Sequence, residues 1–536
     1  MRAAKVIAVV VLAALGASLA LRAASTLPSL AERPQSFALT DTGDTRLGRA
    51  IAPRVARHPG QSGILALSDG PGAFAARALM MRAAERSIDA QYYIWSDDLT
   101  GTLLFDELRA AAERGVRVRL LQDDNTTEGL DATLAALNSH PNIEVRLFNP
   151  FVIRSPRFVG FLTDFPRLNR RMHNKSLTVD NQATIVGGRN IGDAYFGAGE
   201  GAAFADLDVL AVGPVVGEVS RQFDQYWASA SAYPASRILP AAPDGAIGAV
   251  AARADEVARD PAAQQYLAAV RDLAIVDQLT GGTLPLDWTQ VRMVTDHPAK
   301  GLGLAEPAQF LISRLDDILE APSERLALVS AYFVPTAQGE AAFGALARRG
   351  VKVDILTNSL AATDVPLVHA GYAPYRKGLL AAGVKLWELK KEQPGSVPGS
   401  DVSDDGGAAS GSGGSGSGSS GSAAGGGGTA LHAKTFAVDG ERVFVGSFNF
   451  DPRSARLNTE LGFVIRSPSL ARRIDEGLWW EIPRRAYEVR LTPAGELVWI
   501  ERVGGREARH SSEPGTSPLQ RAWVKILSLL PIEWLL

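Results

Sequence analysis

Two segments of the 536-residue chain carry the same four polar residue types at the same spacing: a histidine, then a lysine two positions later, an aspartate seven later and an asparagine seventeen later. Lysine and asparagine side chains can bind the non-bridging oxygens of a phosphate ester and offset the charge that develops during its cleavage. A neutral imidazole can attack phosphorus, and a protonated one can protonate the leaving alkoxide. Two such sets predict phosphodiester chemistry without a metal or another cofactor. The residues are His173, Lys175, Asp180 and Asn190 in the first segment, and His432, Lys434, Asp439 and Asn449 in the second.

A carboxylate follows each segment at a matching position. Asp206 lies eight residues before Pro214, and Glu460 lies eight residues before Pro468. A carboxylate that accepts a hydrogen bond from one imidazole nitrogen fixes the tautomer and orientation of the ring, so we expect Asp206 and Glu460 to orient the two histidines. A zinc site is not indicated, because the His-x-Lys pattern places a cation where a further ligand would be needed.

The elements that must position these groups are predicted from alternation and turn chemistry. From His173 to Val179 every second residue shares a face, which is typical of a strand and puts histidine and lysine on the same side. Asp180-Asn181 and Asp439-Gly440 are tight-turn pairs, so each strand is expected to return as a hairpin. We expect the two aspartates to brace these hairpins rather than to react. The return strands would place residue 173 opposite 188–190 and residue 432 opposite 447–449.

The similarity between the segments extends upstream. Each is preceded by a strand-like run, a helical stretch that ends in Arg-Gly, and a second strand-like run. This order predicts βαβ units and therefore two α/β halves that pack together. Residues 406–428 contain only Gly, Ser and Ala, which predicts a disordered insertion at about 399–428. The predicted organisation is a hydrophobic membrane anchor or signal segment at 1–30, a first half at 50–240 with its motif at 173–190, a helical connector at 241–305, a second half at 306–500 with its motif at 432–449, and a hydrophobic tail at 501–536.

Composition and the amino terminus restrict the classes of function. The chain has 55 Lys and Arg against 58 Asp and Glu and contains no cysteine. A slightly acidic balance argues against a general nucleic-acid binder, and the missing thiols exclude a cysteine nucleophile, disulfides and iron–sulfur clusters. Sixteen uncharged residues separate Lys5 from Arg22. This pattern indicates a membrane anchor or a secretory signal, and we favour an uncleaved anchor that sends the downstream chain across the membrane.

The paired H-x-K-x(4)-D-x(6)-G-[GS]-x-N pattern resembles the phospholipase D superfamily, over about residues 60 to 500. The strings "RRMHNKS", "GGRNIGDAYF" and the closing "LSLLPIEWLL" are similar to bacterial cardiolipin synthases of the C type. The resemblance implies two pseudo-twofold related α/β sandwich halves that share one active site, and catalysis through a covalent phosphohistidine. It implies His173 as nucleophile and His432 as general acid and later base. It further implies that the lysines and asparagines of both motifs bind phosphate, with Asp180 and Asp439 completing the motif sets.

The same resemblance implies a substrate: a phosphatidyl group would pass from one phospholipid to phosphatidylglycerol. The amino-terminal segment predicts a location at the bacterial inner membrane, with the catalytic domain on the periplasmic side. The expected partners are phospholipid substrates and the membrane, without nucleic acid. A phospholipase D hydrolase remains an alternative, since water can replace the alcohol. A nuclease is disfavoured because it usually needs a basic stripe, and a scaffold is disfavoured because both motifs are intact.

Further residues are candidates for lipid contact. Two apolar stretches, residues 149–165 and 523–536, could touch a membrane. The alternatives are ordinary core for the first stretch and a terminal helix packed on the core for the second. Arg170, Arg171 and Arg189 add positive charge near the first motif. A helical pattern predicts a possible contact with a head group or glycerol for His369, Tyr372, Tyr375 and Arg376.

Overall fold

The computed structural model of the protein describes residue 16 and residues 26–199, 203–319, 321–391, 430–476, 482–503, 505–531 and 533–536. Nearly all of the predicted amino-terminal membrane segment and the whole predicted Gly/Ser/Ala insertion lie outside these residues. Within the described part of the chain, no helix combines the length and the apolar character that crossing a bilayer requires.

Strands and helices alternate along most of the chain. The strands are β1 (Ser62–Leu67), β2 (Ser87–Tyr92), β3 (Arg117–Asp123), β4 (Ile143–Phe148), β5 (Ser176–Val179), β6 (Ala183–Gly187), β7 (Phe204–Ala205), β8 (Asp208–Val212), β9 (Ala232–Pro234), β10 (Asp287–Thr289), β11 (Val291–Thr295), β12 (Arg325–Ser330), β13 (Lys352–Asn358), β14 (Lys385–Leu389), β15 (Ala430–Leu431), β16 (Lys434–Val438), β17 (Arg442–Gly446), β18 (Leu461–Arg466), β19 (Ala486–Leu491), β20 (Leu497–Val503) and β21 (Arg506–His510).

The α-helices of the described residues alternate with these strands along the chain. They are α1 (Arg46–Ala56), α2 (Gly70–Ala83), α3 (Leu99–Glu113), α4 (Asp131–Asn138), α5 (Phe158–Leu168), α6 (Asp193–Phe196), α7 (Pro214–Trp227), α8 (Ile247–Ala258), α9 (Pro261–Arg271), α10 (Ala274–Thr280), α11 (Leu311–Leu319), α12 (Thr336–Arg348), α13 (Pro366–Tyr372), α14 (Arg376–Ala381), α15 (Pro452–Arg456), α16 (Pro468–Glu476), α17 (Ile482–Arg485) and α18 (Pro518–Leu527).

Two mixed sheets, one from each half, repeat the same strand order. In the described chain the first sheet has the order β10-β1-β8-β6-β5-β2-β3-β4-β9 and the second the order β11-β18-β17-β16-β12-β13-β14-β19-β20-β21. The block β8-β6-β5-β2-β3-β4 of the first sheet corresponds strand by strand to β18-β17-β16-β12-β13-β14 of the second. In each block the last three strands are parallel, joined by helices as the βαβ pattern predicts. The predicted α/β fold with two related halves is confirmed.

The helices of these units begin and end where the sequence signals them. Asp98 accepts a hydrogen bond from the Gly101 N–H and caps α3, whose apolar residues face the sheet. The predicted Arg-Gly ends follow α3 and α12, where Gly115 and Gly350 have φ angles of 93° and 90°. This left-handed conformation suits glycine and stops each helix.

The two halves join through an apolar core between the sheets. Strands β6 and β8 of the first half and β17 and β18 of the second contribute buried side chains to one cluster, which includes Val186, Val209, Val445 and Phe463. Next to this core, β7 and β15 pair in parallel across the halves. The seam between the halves is therefore close-packed and carries backbone hydrogen bonds.

The connector and the tail differ from their predicted boundaries. Residues 241–305 were expected to be helical, but helices occupy only part of the segment, up to Thr280, and β10 and β11 then pair with β1 and β18. The connector thus adds an edge strand to each sheet. The predicted hydrophobic tail at 501–536 also contains the end of β20 and all of β21, which belong to the second sheet. The second half extends to His510.

Candidate active site

A β-hairpin carries each motif, as the spacing predicts. Asp180 and Asn181 both have φ angles of 50°, and Asp439 and Gly440 have φ angles of 52° and 65°. Two successive residues with positive φ give the turn whose twist matches a two-residue hairpin. The register pairs Ser176 with Val186 in the first hairpin and Thr435 with Val445 in the second, in agreement with the predicted return strands.

The motif aspartates bind backbone amides rather than the histidines. The carboxylate of Asp180 accepts hydrogen bonds from the N–H groups of residues 85–87, with lengths from 2.7 Å. Asp439 accepts the equivalent bonds from residues 323–325. Each aspartate therefore ties a hairpin turn to the start of the neighbouring antiparallel strand, which is β2 in the first half and β12 in the second. These contacts agree with the bracing role that we expect for both aspartates.

The two motif histidines are held by carboxylates from opposite halves. The Nδ1 atom of His173 lies 2.9 Å from Oε2 of Glu460, and Nδ1 of His432 lies 2.5 Å from Oδ2 of Asp206. All four side chains are buried. When Nδ1–H donates to the carboxylate, the Nε2 atom of each ring keeps its lone pair for another reaction partner.

Backbone hydrogen bonds between the halves hold each histidine beside the carboxylate of the opposite half. The N–H of His173 donates to the carbonyl of Thr459, which directly precedes Glu460. The N–H of His432 donates to the carbonyl of Ala205, which directly precedes Asp206. Each histidine is thus bonded through its main chain to the residue beside its carboxylate. The contact depends on how the halves dock, and spacing along the sequence does not reveal it.

A glycine and a serine at equivalent positions distinguish the two histidine–carboxylate pairs. A Cβ atom at Gly188 would lie 2.2 Å from Oδ1 of Asp206, so only glycine fits beside this carboxylate. At the corresponding position, the Ser447 hydroxyl donates a hydrogen bond to Oε2 of Glu460. The motif position that is glycine beside Asp206 and serine beside Glu460 thus matches the space and the hydrogen bond that each carboxylate offers.

The motif lysines and asparagines lie around these pairs. The Lys175 ammonium donates to the carbonyl of His173 at 2.5 Å, and Lys434 makes the equivalent bond to His432. Asn190 accepts a hydrogen bond from the N–H of Ile94 and donates to the Tyr195 hydroxyl at 3.0 Å. Within the described residues, Oδ1 of Asn449 is buried without a hydrogen-bond partner. The two lysines and the Asn190 amide have donor capacity left for a ligand.

Burial and neighbouring cations keep both imidazoles neutral. The pKa of His173 is far below its ordinary value because the ring is buried and because Lys175 and Lys434 disfavour a further positive charge. The pKa of His432 is lowered to about 4 by burial and Lys434, although Asp206 opposes the shift. Burial also lowers the pKa of both lysines, that of Lys175 the more. The cluster as described therefore favours an added negative charge.

The two carboxylates differ in charge state. Burial would raise the pKa of Asp206, but His432 and its hydrogen bond, together with Lys434 and Arg189, outweigh this effect and lower the pKa. Burial raises the pKa of Glu460 to about 7, despite the opposing charge of Lys175. Asp206 is therefore ionised at neutral pH, whereas Glu460 exchanges its proton there.

The family model described as "Cardiolipin synthase, PLD-like domain" matches residues 78–227 and 315–481, which is more than half of the chain and includes both motifs. The chain belongs to the phospholipase D superfamily. Cardiolipin synthase C of Escherichia coli (strain K12) is 49% identical over 496 residues, which cover 92% of this chain and 100% of that protein. The predicted enzyme class, a phospholipase D superfamily member similar to cardiolipin synthases, is confirmed.

More distant similarities also extend over most of the chain. An uncharacterized protein of Helicobacter pylori is 32% identical and covers 91% of this chain and 93% of its own length. The crystal structure of a phosphatidylserine synthase from Haemophilus influenzae Rd KW20 covers 92% of this chain and 100% of its own, with a TM-score of 0.53 and 14% identity. At that identity the likeness concerns the fold alone.

Aromatic rings that sequence reasoning missed border each superfamily motif. The Tyr93 ring meets His173 edge-on with centroids 5.1 Å apart, and Lys175 lies 5.4 Å from the centre of the same ring. On the other side, Tyr195 meets His432 at 5.1 Å and Phe204 meets it at 5.2 Å. Tyr93 directly follows β2, so its position at a strand end was the available signal.

The residues predicted to contact a head group bind the carboxy-terminal segment instead. Arg376 and His369 both contact Glu513, at 2.6 and 3.2 Å, and the Tyr375 hydroxyl donates to Glu533 at 2.6 Å. Tyr372 is buried edge-on against Phe333 and below the Arg376 guanidinium. This corrects the predicted substrate contact: helical spacing was right, but the shared face points into the protein.

Two of the three arginines predicted to attract anionic lipid are interior. Arg171 pairs with the buried Asp123 at 2.7 Å. Arg189 contacts Asp208 and donates to several carbonyls, and Asp208 also pairs with the buried Arg77 at 2.9 Å. These arginines therefore hold the first half together, and the prediction of a lipid contact is wrong for them. Arg170 is partly exposed.

Proposed function

We propose that this protein is a membrane phosphatidyltransferase of the cardiolipin synthase type, which transfers a phosphatidyl group to phosphatidylglycerol through a covalent phosphohistidine. The observation that carries the proposal is the pair of neutral imidazoles, each held at Nδ1 by a carboxylate from the opposite half. The Nε2 atoms of both histidines are then free to react with one phosphodiester, and the ammonium groups of both lysines can bind its oxygens. The 49% identity to cardiolipin synthase C supports the choice of lipid substrates.

In the first step, Nε2 of His173 attacks the phosphorus of the donor phospholipid. A P–N bond forms and the P–O bond to the head group or glycerol breaks. Protonated His432 gives its Nε2 proton to the leaving oxygen, so the alcohol leaves neutral. The phosphoryl oxygens would lie against Lys175 and Lys434, whose charges offset the negative charge in the transition state.

In the second step, neutral His432 removes the proton from a hydroxyl of phosphatidylglycerol, and the hydroxyl oxygen attacks phosphorus. The P–O bond of the product forms and the P–N bond to His173 breaks. His432 is then protonated and ready for another cycle. Cardiolipin and one released alcohol are the products, and phosphatidic acid would replace cardiolipin where water is the acceptor.

The unequal carboxylates support His173 as nucleophile. Asp206 is ionised at neutral pH and therefore favours the imidazolium form of His432, as a general acid needs. His173 faces Glu460, whose pKa is raised to about 7 by burial, and its own pKa is lowered further than that of His432. A neutral ring can attack phosphorus. The anionic phosphodiester would raise the pKa of His432 from about 4 toward the working range.

The cellular arrangement is part of the proposal. The uncharged residues 6–21 would anchor the chain in the bacterial inner membrane, with the catalytic halves on the periplasmic side. The halves, with boundaries near 50–240 and 306–510, would share the active site at their seam.

Lipid product analysis tests this function. Purified full-length protein in mixed micelles receives labelled phosphatidylglycerol, with and without phosphatidylethanolamine. We expect labelled cardiolipin from the wild type and from His510→Ala, a matched variant at a histidine outside the motifs. His173→Ala should lose at least roughly 10⁴-fold in rate, and His432→Ala roughly 10²–10⁴-fold. Labelled phosphatidic acid without cardiolipin would mean that the enzyme is a hydrolase.

A donor with a good leaving group tests the assignment of the two histidines. Phosphatidyl-p-nitrophenol releases a phenolate that needs no proton, so the first step no longer requires a general acid. We expect His432→Ala to release a burst of p-nitrophenol and to retain the lipid on the protein, while His173→Ala releases none. The opposite pattern would exchange the two roles.

A further inference from the structure

Exposed apolar side chains are concentrated on two segments that are far apart in sequence. Of the twelve large apolar residues exposed in the described part of the chain, nine lie in α5 or in residues 519–534. Isolated exposed apolar residues are ordinary, but a contiguous set marks a contact surface. The nine are Phe158, Leu162, Phe165, Leu519, Trp523, Ile526, Leu529, Leu530 and Trp534.

Helix α5 presents one apolar face to solvent. Phe158 and Leu162 are 66% and 71% exposed and share a face at a spacing of four residues, and Phe165, 40% exposed, follows a kink at Asp164. The opposite side packs on the protein through Gly160 and Leu168. Helix α5 is therefore packed on the protein along one side, and its exposed apolar face is an additional apolar surface.

Helix α18 has the same two-sided character. Val524 is buried with Leu360 and Ala370, so one side of the helix belongs to the core. Trp523 and Ile526 are more than half exposed on another side. A helix that is apolar on opposite sides needs cover on both, and protein supplies only one of them.

Arg453 brings the two segments together beside the active site. Its guanidinium donates to the carbonyl of Asn169, just after α5, at 2.9 Å and to the carbonyl of Leu535 at 3.2 Å. Arg453 lies four residues after Asn449 of the second motif. The charge of Arg453 also lowers the pKa of His173, although burial and the two motif lysines have larger effects. The apolar segments therefore flank the active-site cluster.

The described chain begins next to this surface. Arg33 donates to the carbonyls of Ser229 and Ala232 at 2.7 and 2.8 Å. Burial raises the pKa of the neighbouring Tyr233, and both Arg33 and Arg167 of α5 oppose the shift, so the start of the chain and α5 share one side. The uncharged segment 6–21 ends twelve residues before Arg33.

Basic side chains border the same surface. Arg170 donates to the carbonyl of Arg456, which is exposed, and Lys525 is exposed on α18. Apolar and tryptophan side chains with neighbouring cations are typical of proteins that lie in the interface of an anionic bilayer. By contrast, the insertion 399–428 has almost no apolar side chains that could cover the face.

We propose that α5 and residues 519–534 form one docking face that inserts into the surface of an anionic bilayer and holds the active-site entrance against it. This inference rests on the proposed action on phospholipids. It adds an orientation: the seam between the halves faces the lipid head groups.

The chain contains no cysteine, so single labels can be placed without background. Leu162→Cys and Leu530→Cys carry an environment-sensitive fluorophore on the face, and Val503→Cys, 63% exposed on β20, is the matched control. Each full-length variant is reconstituted in vesicles of phosphatidylcholine and phosphatidylglycerol. We expect blue-shifted emission and quenching by nitroxide-labelled lipid at 162 and 530, and quenching by aqueous iodide at 503.

Other occupants of the face give other results. A blue shift at 162 and 530 without quenching by nitroxide lipid, increasing with protein concentration, would mean that a second copy covers the face. A blue shift that persists in detergent-free buffer at high dilution would mean that the chain's own amino-terminal segment covers it. Iodide quenching at 162 and 530 in vesicles would mean that water covers it. Each of these three outcomes overturns the proposal.

Activity separates docking from chemistry. The double variant Leu162→Asp, Leu530→Asp should transfer phosphatidyl groups in vesicles roughly tenfold or more slowly per substitution, while Val503→Asp is unaffected. Release of p-nitrophenol from a short, water-soluble diester should stay unchanged in both. If the wild type forms no cardiolipin, the proposed function fails although the labels still report insertion. If cardiolipin forms while the labels remain in water, the docking face alone is wrong.

Discussion

Replacing Glu460 by glutamine should remove the pH dependence of the transfer reaction near neutrality. The glutamine carbonyl can still accept a hydrogen bond from Nδ1–H of His173 at the 2.9 Å position, so the ring stays in place while the negative charge is lost. A hydrogen bond to a charged group is worth about 1–1.5 kcal/mol more than a neutral one, which corresponds to a roughly tenfold slower reaction at pH 8.

The pKa of Glu460 sets the expected shape of the wild-type profile. With a pKa of about 7, roughly one tenth of this carboxyl is ionised at pH 6 and roughly nine tenths at pH 8. The ionised form holds the His173 tautomer whose Nε2 can attack. The rate should therefore rise by up to about tenfold over this range in the wild type, and this rise should be missing in Glu460→Gln.

Other titrating groups near Glu460 require a control. Lys175 and Lys300 face it with positive charge, and burial raises the pKa of Asp296 and Asp451 to about 6. Asp206→Asn is the matched variant, because the wild-type carboxyl is ionised throughout the range. It should be slower at every pH and keep the rise near pH 7.

The assay is the initial rate of cardiolipin formation between pH 5.5 and 8.5, with thermal melting to check folding. The reasoning would be refuted by a rise near pH 7 that survives in Glu460→Gln, or by one that disappears in Asp206→Asn. Either result would assign the neutral titration to a different group.

Four further substitutions test the geometry of the site and its support. Gly188→Ala should slow transfer roughly 10–100-fold, because its Cβ would displace the Asp206 carboxylate that it approaches to 2.2 Å; unchanged turnover would contradict the shape argument. Asp180→Ala should lower the free energy of unfolding by about 3–5 kcal/mol. Asp439→Ala should lower it by only about 1–2 kcal/mol, because water can reach this less buried site. Chemical denaturation measures both losses, and equal losses would contradict the difference in burial. Asp208→Asn leaves two buried arginines without their carboxylate and should lower the free energy of unfolding by about 3–5 kcal/mol in the same measurement. An unfolding transition unchanged from the wild type would contradict this prediction.

Features of the site that depend on neighbouring residues in the sequence were predictable. Contacts that depend on how separate elements pack together were not. The hairpins follow from period-two alternation and from residue pairs such as Asp180-Asn181 that tolerate positive φ, both of which act within a few residues. The exchange of Asp206 and Glu460 depends on how two sheets pack, and two equal offsets cannot say which carboxylate meets which ring. Tyr93 and Tyr195 were missed for the same reason, since their contacts cross between elements.

Two wrong predictions have similar physical causes. Helical spacing correctly placed His369 and Arg376 together, but their partner Glu513 lies more than a hundred residues later, so the direction of the shared face was not encoded locally. The edge strands β10 and β11 are short and follow alanine-rich helices, so their alternation was too brief to outweigh the helical pattern.

Because each imidazole is oriented by a carboxylate from the opposite half, a single half contains no competent histidine. A chain of half this length could complete its sites only as a homodimer, where one twofold axis creates both contacts at once. Tandem fusion of such copies would remove the need for symmetry and let each half accumulate its own changes. Gly188 against Ser447, and Arg189 against Phe448, are differences of this kind. The division of labour between an attacking and a protonating histidine is thus something that a strictly symmetric ancestor could not have fixed.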